Sequence, residues 1–307
     1  MTETNMTPTK PGTSLMIGAE VWSPVDGSMV RQASTPSIGD LDQRICHGAS
    51  HPVSDQIDTA GTSHLPQVIA LEGLKLTALI WPIIDRGQTS SVVVLYLDTS
   101  DEAPLATELW TGRPGRSELC LSSSSYIKLD RFAKLSPYIA FPNGSGLPGR
   151  VWQTNLPQME GDLTNSPTFM RSTGAQTEGL DIGFAMPCID GSSLAAVALM
   201  LSGKTKSIAR VYETWTPSQR GGSLRLSCNE GVYIEAPNTQ KASRGLDVPA
   251  GDTWIGRAWA TRQPEVVCDS SGNSLERSGS QDDQLTSGIA IPIIVLDDVA
   301  AVAVLMW

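Results

Sequence analysis

One pattern of strand, proline, turn and strand occurs three times in this 307-residue chain, and it constrains the fold more than any other feature. It reads Gly183-Phe-Ala-Met-Pro187-Cys-Ile, then Leu194-Ala-Ala-Val-Ala-Leu-Met-Leu201. It recurs as Gly288-Ile-Ala-Ile-Pro292-Ile-Ile, then Val299-Ala-Ala-Val-Ala-Val-Leu-Met306, and as Ala78-Leu-Ile-Trp-Pro82-Ile-Ile, then Ser90-Ser-Val-Val-Val-Leu-Tyr-Leu97. The prolines are 105 apart (187 − 82) and 105 apart again (292 − 187). A fixed long period means stacked copies of one structural unit.

Two further landmarks keep the same register. Leu147-Pro-Gly-Arg150-Val-Trp152, Trp254-Ile-Gly-Arg257-Ala-Trp259 and Leu41-Asp-Gln-Arg44-Ile-Cys46 each precede a proline, at Pro157, Pro264 and Pro52. Each copy also opens with a related strand: Glu20-Val-Trp22, Glu108-Leu-Trp110 and Glu213-Thr-Trp215. The units therefore run over 13–99, 100–203 and 204–307, after a polar, Thr- and Pro-rich tail at 1–12. Unit 1 is shortened: Trp22 to Arg44 is 22 residues (44 − 22), against 40 for Trp110 to Arg150 (150 − 110) and 42 for Trp215 to Arg257 (257 − 215). The extra stretch in unit 2, 114–142, is rich in Ser, Gly and Pro and is expected to hold a hairpin and a loop.

Within a unit, Glu20-Val-Trp-Ser-Pro followed by Asp26-Gly27 signals a hairpin. The Gly-Arg-Val-Trp segment is expected to form a short helix with Val151 and Trp152 inward and Arg150 and Gln153 outward. A second helix is expected over 166–178, with Asn165 or Ser166 as N-cap, Pro167 at the first position and Gly179 as terminator. The closing strands are apolar throughout, as in a strand pair buried on both faces. The fold class is α+β: three tandem units, each an antiparallel sheet with short helices on one face. The junctions, near 98–107 and 202–211, leave little room for a coupling helix, and each unit is expected to fold by itself or nearly so.

Composition narrows the function. A net charge of −10 is wrong for phosphate-backbone binding, so no nucleic-acid partner is expected, and a polybasic membrane anchor is excluded with it. No apolar run is long enough for a membrane span, and the N-terminus lacks a secretory pattern, so a cytoplasmic location is expected. The five cysteines are scattered, with no CxxC pair, and read as reduced thiols rather than a zinc or redox site.

The stretch 144–201 resembles a bacterial GAF domain. The matching pieces are Gly146-Leu-Pro-Gly-Arg-Val-Trp152, Pro157, Asp162-Leu163, Phe169-Met-Arg171, Ala175, Glu178-Gly-Leu180 and Gly183-Phe-Ala-Met-Pro187. Unit 3 matches at 254–264 and 287–306 around a polar, degenerate middle at 271–284. Unit 1 keeps Glu72-Gly-Leu74 but lacks the Gly-Leu-Pro-Gly stretch. The resemblance implies a module that binds a small molecule between sheet and helices, or one that serves in packing and dimerisation. The long flanking helices and output segments of signalling relatives are not visible, and neither is the Asn, Lys and Asp signature of the cyclic-nucleotide-binding members.

Few residues carry chemistry. His47, His51 and His64 are spaced by 4 and 13 (51 − 47, 64 − 51), fit no zinc pattern and read as loop residues. No metal or cofactor is expected. Neither Cys188 nor Cys268 has the neighbouring histidine of a bilin site, and each full unit has too few thiols for a reductase of the free methionine sulfoxide type. Arg44, Arg150 and Arg257 could meet an anion at a helix start, or could cover a sheet edge. Trp22, Trp110 and Trp215 recur as core aromatics. If the central unit binds a ligand, the pocket residues are Arg150, Trp152, Phe169, Phe184 and Met186. The expectation is a non-catalytic scaffold or accessory subunit with a protein partner or a second copy of itself. The alternative is a sensor for an unidentified small molecule.

Overall fold

The computed structural model describes residues 14–35, 51–101, 103–113, 115–268, 275 and 277–307. Three antiparallel sheets account for most of it. The first contains β1 (Met16–Val25), β2 (Ser28–Ser34), β3 (Gln67–Leu71), β4 (Leu76–Asp85) and β5 (Gln88–Asp98) in the order β2-β1-β5-β4-β3. The second contains β6 (Leu105–Gly112), β7 (Glu118–Ile127), β8 (Ala140–Pro142), β9 (Gln158–Glu160), β10 (Ile182–Asp190) and β11 (Ser193–Ser202). Its order, β8-β7-β6-β11-β10-β9, is the first order with one strand added at an edge. The third repeats it as β14-β13-β12-β17-β16-β15, from β12 (Val211–Arg220), β13 (Ser223–Tyr233), β14 (Asp247–Val248), β15 (Glu265–Cys268), β16 (Ser287–Val295) and β17 (Asp298–Met306). The last strand, β17, lies inside its sheet, between β12 and β16.

Among the described residues six α-helices cover one face of these sheets: α1 (Ser54–Ser63) in unit 1, α2 (Asp130–Leu135), α3 (Gly146–Thr154) and α4 (Ser172–Glu178) in unit 2, and α5 (Pro237–Ser243) and α6 (Thr253–Thr261) in unit 3. The expected hairpin forms between β1 and β2, with Asp26 and Gly27 both at positive φ, the turn whose twist matches paired strands. The expected helix at 166–178 is shorter: it begins only at Ser172 and ends, as anticipated, on Gly179 at φ 73°. Ser166 does act as a cap, its Oγ accepting from the amides of Thr168 and Phe169, but it closes a turn rather than a helix. The stretch 114–142 holds β7, whose counterpart in unit 1 is β2, together with the helix α2 and the edge strand β8, a richer content than a hairpin and loop.

The glycine in the repeated Gly-Arg motif has a steric cause. A Cβ on Gly149 would collide with the Pro142 carbonyl oxygen, and one on Gly256 with the Pro249 carbonyl oxygen. The same glycines accept hydrogen bonds through their own carbonyls, from the amides of Gly144 (2.7 Å) and Gly251 (2.8 Å). Helices α3 and α6 thus press directly on the strand before them, an approach only glycine permits.

Each sheet is buried on both faces, which is why its closing strands are apolar without alternation. In β11, Val197, Leu199 and Leu201 face the helices of their own unit, while Ala196, Ala198 and Met200 face the other sheets. The strands β4, β10 and β16 meet one another around a central axis, where Pro82, Pro187 and Pro292 leave a space of only about 10 Å³. Around the rim β3 contacts β6 and β7, β9 contacts β13, and β15 contacts β1, so the three units close into a ring. The largest apolar cluster draws on all three, from Leu79 and Trp81 through Phe184 and Met186 to Tyr212 and Ile291. Independent folding of each unit presumed that a sheet buries its own apolar surface. The shared cluster leaves each excised unit with one face of its sheet uncovered.

Polar ties follow the same cyclic logic. The residues ending α1, α3 and α6, His64, Asn155 and Arg262, all adopt the left-handed conformation. His64 Nδ1 lies 2.9 Å from Asp190 Oδ2 in unit 2, and Arg262 donates to both oxygens of Asp85 in unit 1, at 2.8 and 2.6 Å. At the remaining joint the strand position equivalent to Asp85 and Asp190 is Val295, and Leu296 instead donates its amide to the Gly191 carbonyl at 3.0 Å.

Candidate functional site: a buried glutamate network in every unit

The opening Glu-x-Trp of each unit lies on its first strand, next to a β-bulge that falls between Val21 and Trp22, Leu109 and Trp110, and Thr214 and Trp215. Residues two apart on a strand share a face. Here the tryptophan Nε1 donates to the glutamate at 3.0, 3.0 and 2.9 Å in units 1, 2 and 3. All three carboxylates, on Glu20, Glu108 and Glu213, are fully buried on the helix side of their sheets. A buried carboxylate must collect donors or a counter-charge, and each does.

In unit 2, Arg171 binds Glu108 through both terminal nitrogens, at 2.6 and 2.8 Å. Tyr126 donates to the same carboxylate at 2.7 Å and Ser136 at 3.0 Å, while Arg171 also donates to Ser136 at 2.9 Å. The guanidinium is walled by the rings of Phe132, Trp110, Phe141 and Phe169, with centroids 4.5, 5.6, 5.7 and 5.7 Å away. Unit 3 repeats the set. Arg277 holds Glu213 at 2.6 and 2.6 Å, Tyr233 donates at 2.7 Å, Ser243 at 2.8 Å, and Arg277 also reaches Ser243. Unit 1 reaches the same end with other residues: Arg31 at 2.8 Å, His51 at 3.3 Å and Tyr96 at 3.0 Å around Glu20.

Burial pushes the Glu108 and Glu213 carboxyls up, but the charges of Arg171 and Arg277 and the converging hydrogen bonds outweigh it and hold both below the ordinary range. Glu20 is lowered as well, with burial opposed by the hydrogen bond and charge of His51 and by bonds from Arg31 and Trp22. The phenols of Tyr126 and Tyr233 are raised by burial and by the neighbouring carboxylate, so they stay protonated and donate. These are closed ion pairs in space that could otherwise admit an anion.

The five residues expected to line a ligand pocket divide between two faces of the second sheet. Phe169 packs in the helix-side core, with half-buried Trp152 against it. Phe184 and Met186 point the other way, into the core between units, where the Phe184 ring meets Tyr212 at 5.4 Å. Arg150 lies near the sheet edge, donating to Thr168 at 2.7 Å and lying 3.7 Å from Glu160 on β9; Arg257 stands 3.6 Å from Glu265 on β15. Both arginines thus lie beside an edge strand of their sheet. Arg44, Cys46 and His47 lie outside the described residues. His51, read from sequence as a loop residue, is instead drawn against Glu20, and its ring meets Trp22 edge-on at 5.0 Å.

Two open grooves flank the buried pairs. One of about 220 Å³ in unit 2 is lined by Phe132, Leu135, Ile139, Met170 and Arg171 among others; one of about 330 Å³ in unit 3 by Leu246, Val248, Trp254 and Arg277 among others. Each touches its arginine, whose buried Nε has no acceptor among the described residues. Among the described residues no group of three His, Cys, Asp or Glu side chains could hold a metal. Of the described thiols, burial pushes Cys188 well up, and burial with the Glu213 charge pushes Cys228 up to about 12. No helix among the described residues is long and apolar enough to cross a membrane.

No protein-family model matches the chain, and no curated protein does. Solved structures do. The Aquifex aeolicus nlh2 GAF domain in an inactive state is 20% identical, with a TM-score of 0.25, over 32% of this chain and 57% of that one. The GAF domain of a phosphoenolpyruvate-protein phosphotransferase from Coxiella burnetii is 18% identical, with a TM-score of 0.27, over 32% of this chain and 55% of that one. A Staphylococcus aureus NreA protein mutated in its nitrate binding site is 17% identical, with a TM-score of 0.28, over 34% and 78%. The chain thus spans little more than half the length of the first and second of these. Each likeness extends over about a third of this chain, the length of one of its three tandem α+β units.

Proposed function

We propose that this protein is a non-catalytic, rigid scaffold whose GAF-like units serve to present surface to a protein partner. One observation carries the reading: in every unit the space behind the helices holds the chain's own glutamate, already paired with a cation from the same unit. An anionic ligand entering there would have to displace a buried carboxylate from a bidentate arginine. The continuous core between the sheets and the interior position of β17 also oppose movement of one unit against another, because a shifted central strand breaks ladder hydrogen bonds on both sides. Burial keeps the thiols of Cys188 and Cys228 protonated, which disfavours nucleophilic chemistry at those two positions.

A second reading, a small-molecule sensor, draws on the 330 Å³ groove beside Arg277, which has the volume of a small ligand site. Native mass spectrometry of the full chain, purified from its own host, separates the two. A scaffold appears as the bare chain or as the chain with a second protein. A stoichiometric small-molecule adduct on the chain would refute the scaffold.

A further inference from the structure

The repeat supplies an internal control for surface residues. Units 2 and 3 build the same network on the same elements, so positions that differ between them are not demanded by that network. Around the unit 2 groove three large apolar side chains are exposed: Leu135 at 49%, Tyr138 at 88% and Met170 at 55%. The equivalent positions, offset by 107 as Ser136 is from Ser243 and by 106 as Arg171 is from Arg277, are Ala242, Gly245 and, in the sequence, Glu276. Unit 3 closes its network without a large apolar residue at any of these. Tyr138, next in the chain to groove residue Ile139, projects almost wholly into solvent.

Basic side chains flank the groove, and unit 3 keeps a lysine, Lys241, at the position of Lys134. The groove's rim carries Arg131, and the exposed Lys134 follows on the same helix, in a protein whose net charge is −10. Of the acids nearby, Asp130 is exposed, while Glu178 accepts from the amides of Arg131 and Phe132 at 2.9 and 2.9 Å and so is held at the start of α2. At the groove's inner wall stands Arg171, 8% exposed, whose two terminal nitrogens are engaged by Glu108 and Ser136.

We infer that the α2–α4 groove of unit 2 is a docking site for an acidic, apolar-anchored segment of a partner protein. Its large apolar side chain seats against Leu135, Ile139 and Met170 with Tyr138 beside it. Its carboxylate faces the exposed Arg131 and Lys134. The inference rests on the scaffold reading and gives it a surface.

The test is selection of a random peptide library on the immobilised full chain, counter-selected on a variant that carries unit 3's residues, Leu135→Ala, Tyr138→Gly and Met170→Glu. Circular dichroism checks that this surface variant folds, and Lys134→Glu is run beside it as a single change. The expected result is enrichment of peptides with Asp or Glu next to a large apolar residue. These should bind the wild type at least about tenfold more tightly than either variant, and more weakly as salt rises, since rim charges are screened. Enrichment of basic peptides, enrichment of none, or equal binding to wild type and variants overturns the inference. Hydrogen exchange of the full chain in host extract tells the two failures apart: protection on some other face keeps the scaffold and moves the site, and protection nowhere removes both.

Discussion

Replacing Arg277 by Met removes the cation from a carboxylate that is fully buried. Glu213 would keep Tyr233, Ser243 and Trp215 as donors but lose a bidentate partner at 2.6 and 2.6 Å. Breaking one side of a buried pair costs about 3–5 kcal/mol, because the remaining charge is uncompensated. Glu213→Gln in the same background keeps an oxygen acceptor and removes the charge, and should recover about half of that loss. The pH dependence is the sharper signature. In the wild type Glu213 is held below its ordinary value, so its contribution is present above the unfolded carboxyl pKa near 4.3 and is lost as pH falls through the folded one. In Arg277→Met, burial is left to dominate and raises the carboxyl, so its stability is greatest at low pH and declines as pH rises. The deficit of the variant should therefore shrink from about pH 8 to about pH 5.5, by up to roughly 1.4 kcal/mol for each unit of pKa displacement. Urea unfolding followed by tryptophan fluorescence at both pH values measures it. A deficit under about 1 kcal/mol, or one that is the same at both pH values, would refute the claim that a desolvated charge pair holds this unit together.

Other consequences are equally direct. Gly149→Ala and Gly256→Ala should each lower the unfolding midpoint clearly, since the added methyl falls on a backbone carbonyl, of Pro142 or Pro249; thermal melts that match the wild type would show that α3 and α6 can shift away. Trp254→Ala should cost about 3–5 kcal/mol, because the ring is fully buried and its Nε1 donates to Leu275, while the half-buried Trp152 and Trp259 should cost visibly less by denaturant titration. Arg262→Ala, which cuts a partly exposed tie between units 3 and 1, should cost only about 1 kcal/mol; a larger loss by the same titration would make that joint a keystone of the ring. On brief treatment with iodoacetamide, mass spectrometry should find Cys268 modified and Cys188 untouched until denaturant is added, and early labelling of Cys188 would mean that the inter-unit core opens.

The architecture was legible because it is written three times. Pro82, Pro187 and Pro292 placed the sheets, and Asp26-Gly27 placed a turn, since both are local and steric. What lay on the second face of each sheet was not visible: an apolar run such as Val302-Ala-Val-Leu is the same whether a helix or another sheet covers it. That ambiguity also misplaced Phe184 and Met186, which alternate with Ala185 along β10 and point into the ring rather than toward the helices. The network was half legible. Glu20, Glu108 and Glu213 stood beside the tryptophans as a threefold signal, yet drew less notice than the arginines of the short helix. Arg171 and Arg277 are 106 apart, the spacing of Arg150 from Arg44, but Arg277 sits in a polar stretch with no apolar periodicity to anchor it. Pairing of Arg171 with Glu108 across 63 residues is a product of the fold, and only the repeat offset could have suggested it.

The central claim is that the units are filled by their own glutamates and that contact with the outside passes through a protein surface. Hydrogen exchange of the full chain measures this in three samples: alone, with the protein-free small-molecule fraction of host extract, and with the protein fraction. The account predicts slow exchange around Glu108 and Glu213 in all three, with new protection confined to α2 and the 166–171 turn in the protein fraction. Slowed exchange across units 2 and 3 in the small-molecule fraction would contradict it and make the protein a sensor.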